Sequence, residues 1–458
     1  MKVGFVSLGC PKNLVDTEVM MGHLAAHGHE LTPNPEEAEA IVVNTCGFIG
    51  PAREESVEAI LEMARYKETG SARRLIVTGC LVERHRDEIR AEMPEVDAVL
   101  GTNEVESIVA ACEGRAAAPA RAPYLYHDAT PRLLATPAHY AYIKIAEGCD
   151  HPCSFCVIPQ FRGAFRSRTP DSVAAEADSL FSRGVREINL IGQDTTCYGE
   201  DLGLRDGLAL LLARLARLPS ASGNWIRFLY AYPNRITQRL LDTIAEHAPI
   251  AKYIDVPLQH ASRAVLKRMK RGGSGDAFLK LIERIRRSVP GVAVRTSMIV
   301  GFPGETEDDF EELCSFVESA QLDRLGVFSY SDEETAASFR LGGKVAPRTI
   351  YNRRRRLMAI QRKVSKARNR RIVGQEFPVL VEGPSSETDL LWQARAQSQA
   401  PAIDGVCLIN DLEGAPPRPG EMRRFRVTAA HDYDLVGTLL EDRVACPAQE
   451  LRVLGAHQ

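Results

Sequence analysis

Short apolar runs alternate with helix-like segments in the first part of the chain. Three runs rich in β-branched residues occupy residues 3–8, 40–44 and 75–78, and apolar positions recur about every 3.6 residues in the segments between them. The order of strand, helix and strand predicts a parallel sheet covered by helices. The fold class predicted for this part of the chain is therefore α/β.

Each of these three predicted strands leads into a cysteine. The local sequences are LGC at Cys10, NTC at Cys46 and TGC at Cys80. The carboxyl ends of parallel strands share one edge of a sheet, where ligands usually bind. We therefore expect the three thiols to form one site, although a thiol at a strand end can also be simply packed.

A change of composition separates this region from the next. Between Gly114 and Pro137 the chain is rich in Ala, Pro and Arg and has no sustained apolar period, which predicts a linker. Beyond it, strand-like and helix-like segments alternate again. The six predicted strands are at residues 142–146, 187–191, 225–231, 253–256, 292–300 and 325–330. Six such units predict a (βα)6-type partial TIM barrel, whose chemistry lies at the carboxyl ends of its strands.

The last part of the chain has short β-like runs separated by Gly and Pro, which predicts a small β-barrel. The predicted organisation therefore has four parts. They are an N-terminal α/β domain at 1–115, a linker at 116–137, a partial barrel at 138–371 and a C-terminal β-barrel at 372–440.

Composition places the chain among globular proteins of several domains. It has 458 residues, of which 45% are hydrophobic and 26% charged. We find neither a signal-peptide pattern nor an apolar stretch of roughly 18 residues, so we expect a cytoplasmic protein. In a reducing compartment its 11 cysteines are expected to be metal ligands, catalytic groups or core thiols rather than disulfides.

A second group of cysteines follows the first predicted strand of the barrel. The sequence EGCDHPCSFCVIPQFRG places Cys149, Cys153 and Cys156 in a C-x3-C-x2-C arrangement. Three thiolates on a four-iron cluster leave one iron open to bind a further ligand. The alternatives are a structural zinc site or unrelated buried thiols, but structural zinc takes four protein ligands and no fourth is near in the sequence.

This arrangement resembles the radical S-adenosylmethionine superfamily. In that family the open iron binds the amino and carboxyl groups of S-adenosylmethionine, and one electron cleaves the molecule to methionine and a 5′-deoxyadenosyl radical. The resemblance implies that Phe155 lies near the adenine, although core packing is an equal alternative. It also implies that Gln193 and Asp194 lie near the methionine moiety, at a strand end that here lacks the commoner double glycine.

The whole chain resembles the radical S-adenosylmethionine methylthiotransferases. The resemblance rests on LGCPKNLVDTE, VVNTCGFI and VTGCL, followed by the radical motif and a C-terminal TRAM-like β-module. It implies that Cys10, Cys46 and Cys80 hold a second 4Fe-4S cluster, again with one open iron, and that S-adenosyl-L-methionine supplies both the radical and the methyl group.

Five further cysteines lack ligand-like spacing and are expected to be packing or surface thiols, the role of Cys197 being left open. They are Cys112, Cys197, Cys314, Cys407 and Cys446.

Within that family, LIGQDTTCYGEDL, LYAYP, VPLQHASRAVLKRMKR and QAPAIDG resemble the branch that modifies an aspartate. This implies insertion of a methylthio group at the β-carbon of an aspartate of small-subunit ribosomal protein S-twelve, free or within the ribosome, with an electron donor as a further partner. Two alternatives remain. One is the same chemistry on an adenosine of transfer RNA, and the other is a non-enzymatic iron-sulfur scaffold or electron carrier.

The charge of the C-terminal module bears on whether the partner of the chain is a protein or RNA. Residues 373–440 contain five Arg and no Lys against ten Asp and Glu. A module that binds RNA needs a basic face, so direct RNA binding by this module is not expected and a basic ribosomal protein is the better partner. Trp392 and Arg395 are expected to be a packed tryptophan and a solvated arginine, with partner contact as the alternative.

Overall fold

The computed structural model describes residues 1–116, 123–385, 388 and 390–443. Part of the predicted linker, 116–137, and Cys446 lie outside the described residues. None of the described helices combines the length and the apolar composition that crossing a membrane requires.

The described chain contains both strands and helices up to Arg371, and strands follow from there to its end. The strands are β1 (Lys2–Ser7), β2 (Glu30–Leu31), β3 (Ala40–Thr45), β4 (Arg74–Gly79), β5 (Ala98–Leu100), β6 (Tyr140–Lys144), β7 (Ala146–Glu147), β8 (Arg166–Ser167), β9 (Glu187–Ile191), β10 (Trp225–Phe228), β11 (Tyr253–Asp255), β12 (Ala293–Val300), β13 (Arg324–Ser329), β14 (Glu376–Pro384), β15 (Trp392–Ala396), β16 (Cys407–Leu412), β17 (Met422–Ala430) and β18 (Leu435–Arg443). The helices are α1 (Pro11–Ala26), α2 (Gly50–Ala64), α3 (Tyr66–Thr69), α4 (Cys80–Glu92), α5 (Ile108–Glu113), α6 (Ile158–Arg162), α7 (Pro170–Ser182), α8 (Gly207–Ala216), α9 (Gln238–Glu246), α10 (Arg263–Arg268), α11 (Gly275–Ser288), α12 (Glu307–Ala320) and α13 (Pro347–Arg371).

The N-terminal domain is built on a parallel sheet with the strand order β2-β1-β3-β4-β5. Every residue of the central strand β3 is buried, because helices cover both faces of the sheet. The predicted α/β fold with its three strands is confirmed. The short edge strands β2 and β5 were not predicted, since two or three residues carry too little apolar pattern.

The middle domain has six parallel strands at the predicted positions, in the orders β10-β9-β6 and β11-β12-β13. The two groups are joined by a parallel bridge between Ile226 and Ile250 and by a 2.8 Å hydrogen bond from the Ala231 amide to the Asp255 carbonyl. The partial barrel of (βα)6 type is therefore confirmed.

The first two domains share one apolar core. Val15 and Val19 of α1 belong to the same buried cluster as Tyr142, Ile191 and Leu229 of the barrel. Because α1 follows Cys10 directly, this packing holds the cysteine-bearing edge of the N-terminal sheet against the strands of the barrel.

The C-terminal module is a closed barrel with the strand order β14-β15-β16-β18-β17, as predicted. Glu187, at the start of β9, is fully buried between Arg227 (2.8 Å) and Arg395 of the module (2.7 Å). Arg395 also donates to Glu382 over 2.6 Å. The expectation of a solvated Arg395 is wrong, because this guanidinium anchors the module to the barrel. Trp392 is half-buried against the module's own core, as expected.

Candidate functional site

Cys10, Cys46 and Cys80, the first triad, lie at the carboxyl ends of three neighbouring strands. Cys10 is the N-cap of α1 and Cys80 is the first residue of α4, so the positive ends of two helix dipoles favour thiolates there. Gly9 has φ +86°, and a Cβ at this position would lie 2.7 Å from the Cβ of Cys46. A glycine is therefore required for the loop that carries Cys10 to approach Cys46.

The thiols of the first triad influence one another. Burial raises the pKa of Cys80 to about 11, opposed by the nearby charge of Arg162, while Cys10 and Cys46 add to the rise. Burial, reinforced by Cys10, also raises the pKa of Cys46. Such thiols ionise only when a cation compensates them, as a metal cluster would. The Nη2 of Arg162 already lies 3.4 Å from the Sγ of Cys80.

Cys149, Cys153 and Cys156, the second triad, line a cavity of about 1070 Å³ in the loop before α6. Burial raises the pKa of Cys149 to about 11 and that of Cys156 to about 12, and the neighbouring thiols of the triad contribute to both shifts. Arg271 approaches the Sγ of Cys153 to 3.6 Å. The cavity is large enough for a bound cluster and a small-molecule ligand.

The spacing of the thiols bears on which metal they suit. In the described part of the chain, the one group of three or more potential ligand atoms that all lie within 4.8 Å of one another is that of His151, Asp194 and Cys197. At least one pair of thiols in each triad is therefore more than 4.8 Å apart, wider than the ~3.8 Å between sulfurs around one tetrahedral zinc ion. Wide spacing and three thiols per site fit a four-iron cluster that keeps one iron open.

Four charged side chains, the bridging network, cross the boundary between the N-terminal domain and the barrel, and one of them, Arg162, contacts Cys80 of the first triad. Lys144 lies 2.5 Å from Asp16 and 2.6 Å from Glu147, and Arg162 lies 2.6 Å and 3.2 Å from the same two carboxylates. Burial alone would raise the pKa of Glu147, but Lys144 and Arg162 outweigh it and lower the pKa to about 2. Two cations thus neutralise two carboxylates in the interior, where unpaired charge is costly.

The three residues predicted to contact S-adenosylmethionine lie near the network and the second triad. Phe155 is partly buried against the barrel core. Gln193 donates to Glu147 over 2.6 Å, and its Oε1 is buried without a partner in the structure. Asp194 is buried and accepts hydrogen bonds from Cys197 (3.0 Å) and Thr196. Their contact with S-adenosylmethionine stays a prediction.

Sequence reasoning missed three side chains beside the second triad. His151 stacks on Tyr232 with ring centroids 4.0 Å apart and lies 2.6 Å from Asp194. Arg271 lies over the same tyrosine ring at 4.4 Å. His151 could have been noticed because it stands inside the C-x3-C spacing. Tyr232 and Arg271 lie in the LYAYP and VPLQHASRAVLKRMKR segments quoted above, but these segments are distant in the chain, so their spacing gives no sign that the two side chains meet beside the second triad.

The cysteines outside the triads are buried where the structure describes them, as expected for packing thiols. They are Cys112, Cys197, Cys314 and Cys407. Burial raises the pKa of Cys314 to about 11 and that of Cys112 to about 12, so both stay neutral. Burial and the Asp194 carboxylate likewise raise the pKa of Cys197, which keeps its proton and donates it to Asp194.

Three family models match successive parts of the chain. Residues 2–101 match the uncharacterized protein family UPF0004, residues 143–317 the Radical SAM superfamily and residues 373–440 the TRAM domain. The second match implies a 4Fe-4S cluster and S-adenosylmethionine. Among solved structures, the radical S-adenosylmethionine methyltransferase TsrM from Kitasatospora setae, with cobalamin and a [4Fe-4S] cluster bound, is similar in fold. It has a TM-score of 0.53 and 16% identity over 72% of this chain and 74% of that one.

Curated relatives match over almost the full length of the chain. The ribosomal protein uS12 methylthiotransferase RimO of Solibacter usitatus is 70% identical over 98% of this chain and 96% of its own length. The proteins of the same name from Koribacter versatilis and Geobacter sulfurreducens are 56% and 47% identical, each over 96% of this chain and covered over 96% and 98% of their own lengths. With such identity over all three domains, the chain belongs to the RimO family of radical S-adenosylmethionine methylthiotransferases.

Proposed function

We propose that this chain inserts a methylthio group at the β-carbon of an aspartate of ribosomal protein uS12, and that it uses two 4Fe-4S clusters and S-adenosylmethionine to do so. The observation that carries the proposal is the pair of cysteine triads at strand ends, one in each of two domains that a buried network of charges holds together. One triad alone would suit a radical enzyme without a sulfur supply. Two triads suit an enzyme that both activates a C–H bond and transfers sulfur.

In this proposal Cys149, Cys153 and Cys156 hold the cluster that binds S-adenosylmethionine, and the first triad holds the other. When bound, these groups supply radical chemistry at an unactivated C–H bond together with the sulfur and the methyl group that are transferred. The protein orients them and keeps water away. Gln193 suits this role because its Oε1 is a free buried acceptor, while its amide is fixed by Glu147.

The bridging network ties the N-terminal domain, which carries the first triad, to the barrel, which carries the second. Asp16 comes from α1 of the N-terminal domain, Lys144 and Glu147 come from the barrel, and Arg162 ends α6 next to the second triad. Their ion pairs cross the domain boundary within the interior, where such pairs are screened little by salt. The two reagents can therefore be presented to the same carbon in a constant geometry.

The charge of the C-terminal module favours a protein substrate over RNA. Its acidic balance attracts a basic ribosomal protein and repels phosphate. Arg395, one of its five arginines, is buried in the contact with the barrel and does not face solvent. The substrate would be uS12, free or in the ribosome, and an electron donor would complete the reaction in the cytoplasm.

The domain limits predicted above, 1–115, 116–137, 138–371 and 372–440, give each part a role in this scheme. The first part holds the sulfur-supplying cluster and the third part holds the radical cluster. The fourth part is the TRAM-like module. Limited proteolysis of the intact protein, with the cleavage sites located by mass spectrometry, would test the limits.

Mass spectrometry of a strain that lacks the gene tests the proposed substrate. Loss of the methylthio group from uS12, with transfer RNA unchanged, is the expected result. Loss from transfer RNA with uS12 unchanged would overturn the proposal. Formation of 5′-deoxyadenosine by the reduced, oxygen-protected protein separates an enzyme from an iron-sulfur scaffold or electron carrier, which would form none.

A further inference from the structure

Lys12 reaches from the N-terminal domain to the barrel, beside the first triad. It follows Cys10 by two residues, and its Nζ lies 3.4 Å from the carbonyl oxygen of Gly192, just beyond β9. The same Nζ lies 3.8 Å from the centre of the Tyr230 ring. The side chain is half-buried. An ammonium group has three donors, and these two weak contacts leave at least one of them available.

Lys12 is a surplus cation in this region. The two carboxylates of the bridging network are already matched by Lys144 and Arg162. No ion pair within 4.0 Å joins Lys12 to a carboxylate in the described part of the chain, although Cys10 and Glu147 act on its charge. A half-buried ammonium without a carboxylate in contact can take a partner of opposite sign, so the position is suited to an anion from outside the chain.

The backbone beneath the ammonium is strained. Tyr230 has φ +64°, in the left-handed region that residues with a bulky side chain avoid. The Asp255 carboxylate accepts from the Tyr230 amide at 3.1 Å, and the Tyr230 carbonyl accepts from the Thr195 amide at 3.1 Å, so the conformation is held from both sides. Strain of this kind is concentrated at ligand sites. Here it directs an aromatic ring toward Lys12, which restricts the position of the ammonium.

We propose that Lys12 binds the side-chain carboxylate of the substrate aspartate. The inference rests on the proposed function, which requires an aspartate at this place, and it names the group that recognises it. The carboxylate carbon is bonded directly to the β-carbon, so a cation that holds the carboxylate sets the position of the reacting carbon between the triads. Lys12 is a positioning residue that also distinguishes aspartate from asparagine.

Binding of two forms of uS12 tests this assignment. Fluorescently labelled uS12, and uS12 in which the target aspartate is asparagine, are titrated with oxygen-protected, cluster-loaded wild type, Lys12→Gln, Lys12→Arg and Lys280→Gln. Lys280 is an exposed lysine of α11 and serves as the matched control. Wild type should prefer the aspartate form by about 10- to 100-fold. Lys12→Gln should lose this preference, Lys12→Arg should retain most of it, and Lys280→Gln should equal wild type.

Several results would overturn the assignment. If wild type binds both forms of uS12 equally, or if Lys12→Gln keeps the preference, the carboxylate is not bound by Lys12. A Lys12→Gln variant that keeps the preference but shifts the midpoint potential of the first-triad cluster would identify Lys12 as a counter-ion of that cluster instead. If wild type binds neither form and leaves uS12 unmodified, the proposed function fails as well. If wild type modifies uS12 but Lys12→Gln retains the preference, only the Lys12 assignment fails.

Discussion

Arg162 and Cys80 are in contact across a domain boundary. The Nη2 of Arg162, at the end of α6 in the barrel, lies 3.4 Å from the Sγ of Cys80, at the start of α4 in the N-terminal domain. Burial alone would lower the pKa of Arg162, but Cys80, Glu147 and Asp16 raise it well above its usual value. A permanent positive charge from the barrel is therefore directed at the first triad in the N-terminal domain.

Replacing Arg162 should alter the cluster that the first triad is proposed to hold. The charge and the hydrogen bond to a ligand sulfur favour the reduced cluster, so Arg162→Met should lower its midpoint potential by on the order of tens of millivolts. Arg162→Lys, which keeps the charge, should recover part of the shift. Redox titration followed by electron paramagnetic resonance measures this, with exposed Arg354→Met as the control. Equal potentials in Arg162→Met and wild type would contradict the proposed influence.

Replacing a cysteine of one triad should affect S-adenosylmethionine cleavage differently from replacing a cysteine of the other. Cys153→Ala removes a proposed ligand of the radical cluster and should abolish 5′-deoxyadenosine formation. Cys46→Ala alters only the first triad and should leave cleavage measurable. Chromatographic assay of 5′-deoxyadenosine compares them, with the buried packing thiol variant Cys112→Ala as the control. Equal loss of cleavage in Cys46→Ala and Cys153→Ala would argue against separate roles.

The contact between the C-terminal module and the barrel should depend on Glu187. This carboxylate is fully buried between Arg227 and Arg395, so Glu187→Gln leaves two buried guanidinium groups without their counter-ion. We expect destabilisation by about 3 kcal/mol. Denaturant unfolding measures it. Glu283→Gln, which affects only an exposed pair with Arg287, should be indistinguishable from wild type, and equal stability of both variants would exclude this role for Glu187.

The same contact should weaken in acid. Burial opposes ionisation of Glu187, but Arg395 and Arg227 outweigh it and lower its pKa below the usual 4.5. Burial also opposes ionisation of Glu382, and there His139 and Arg395 lower the pKa. Carboxylates with lowered pKa values stabilise the fold fully above about pH 4.5, and this stabilisation is lost as pH falls through the lowered values. The melting temperature should therefore fall between neutral and acidic pH, and this fall should be smaller in Glu382→Gln than in wild type. The same dependence of the melting temperature on pH in wild type and Glu382→Gln would contradict this prediction.

The sequence predicted the parts of the site that depend on local spacing. The three strand ends at Cys10, Cys46 and Cys80 and the C-x3-C-x2-C motif are local patterns, and the structure brings each set together around one site. The role of Arg162 could not be read in the same way, because its partner Cys80 is 82 positions away in the chain. Arg395 was misjudged for the same physical reason. Its alternation on a strand gives no sign of the buried carboxylate that it meets in another domain.

Iron counting on the two triads tests the central claim most directly, that each triad holds its own four-iron cluster. Iron and acid-labile sulfide are measured per chain in the oxygen-protected wild type and in variants in which all three cysteines of one triad are alanine. We expect about eight irons in wild type and about four in each triple variant. About four irons in wild type, or zinc in place of iron, would contradict the account.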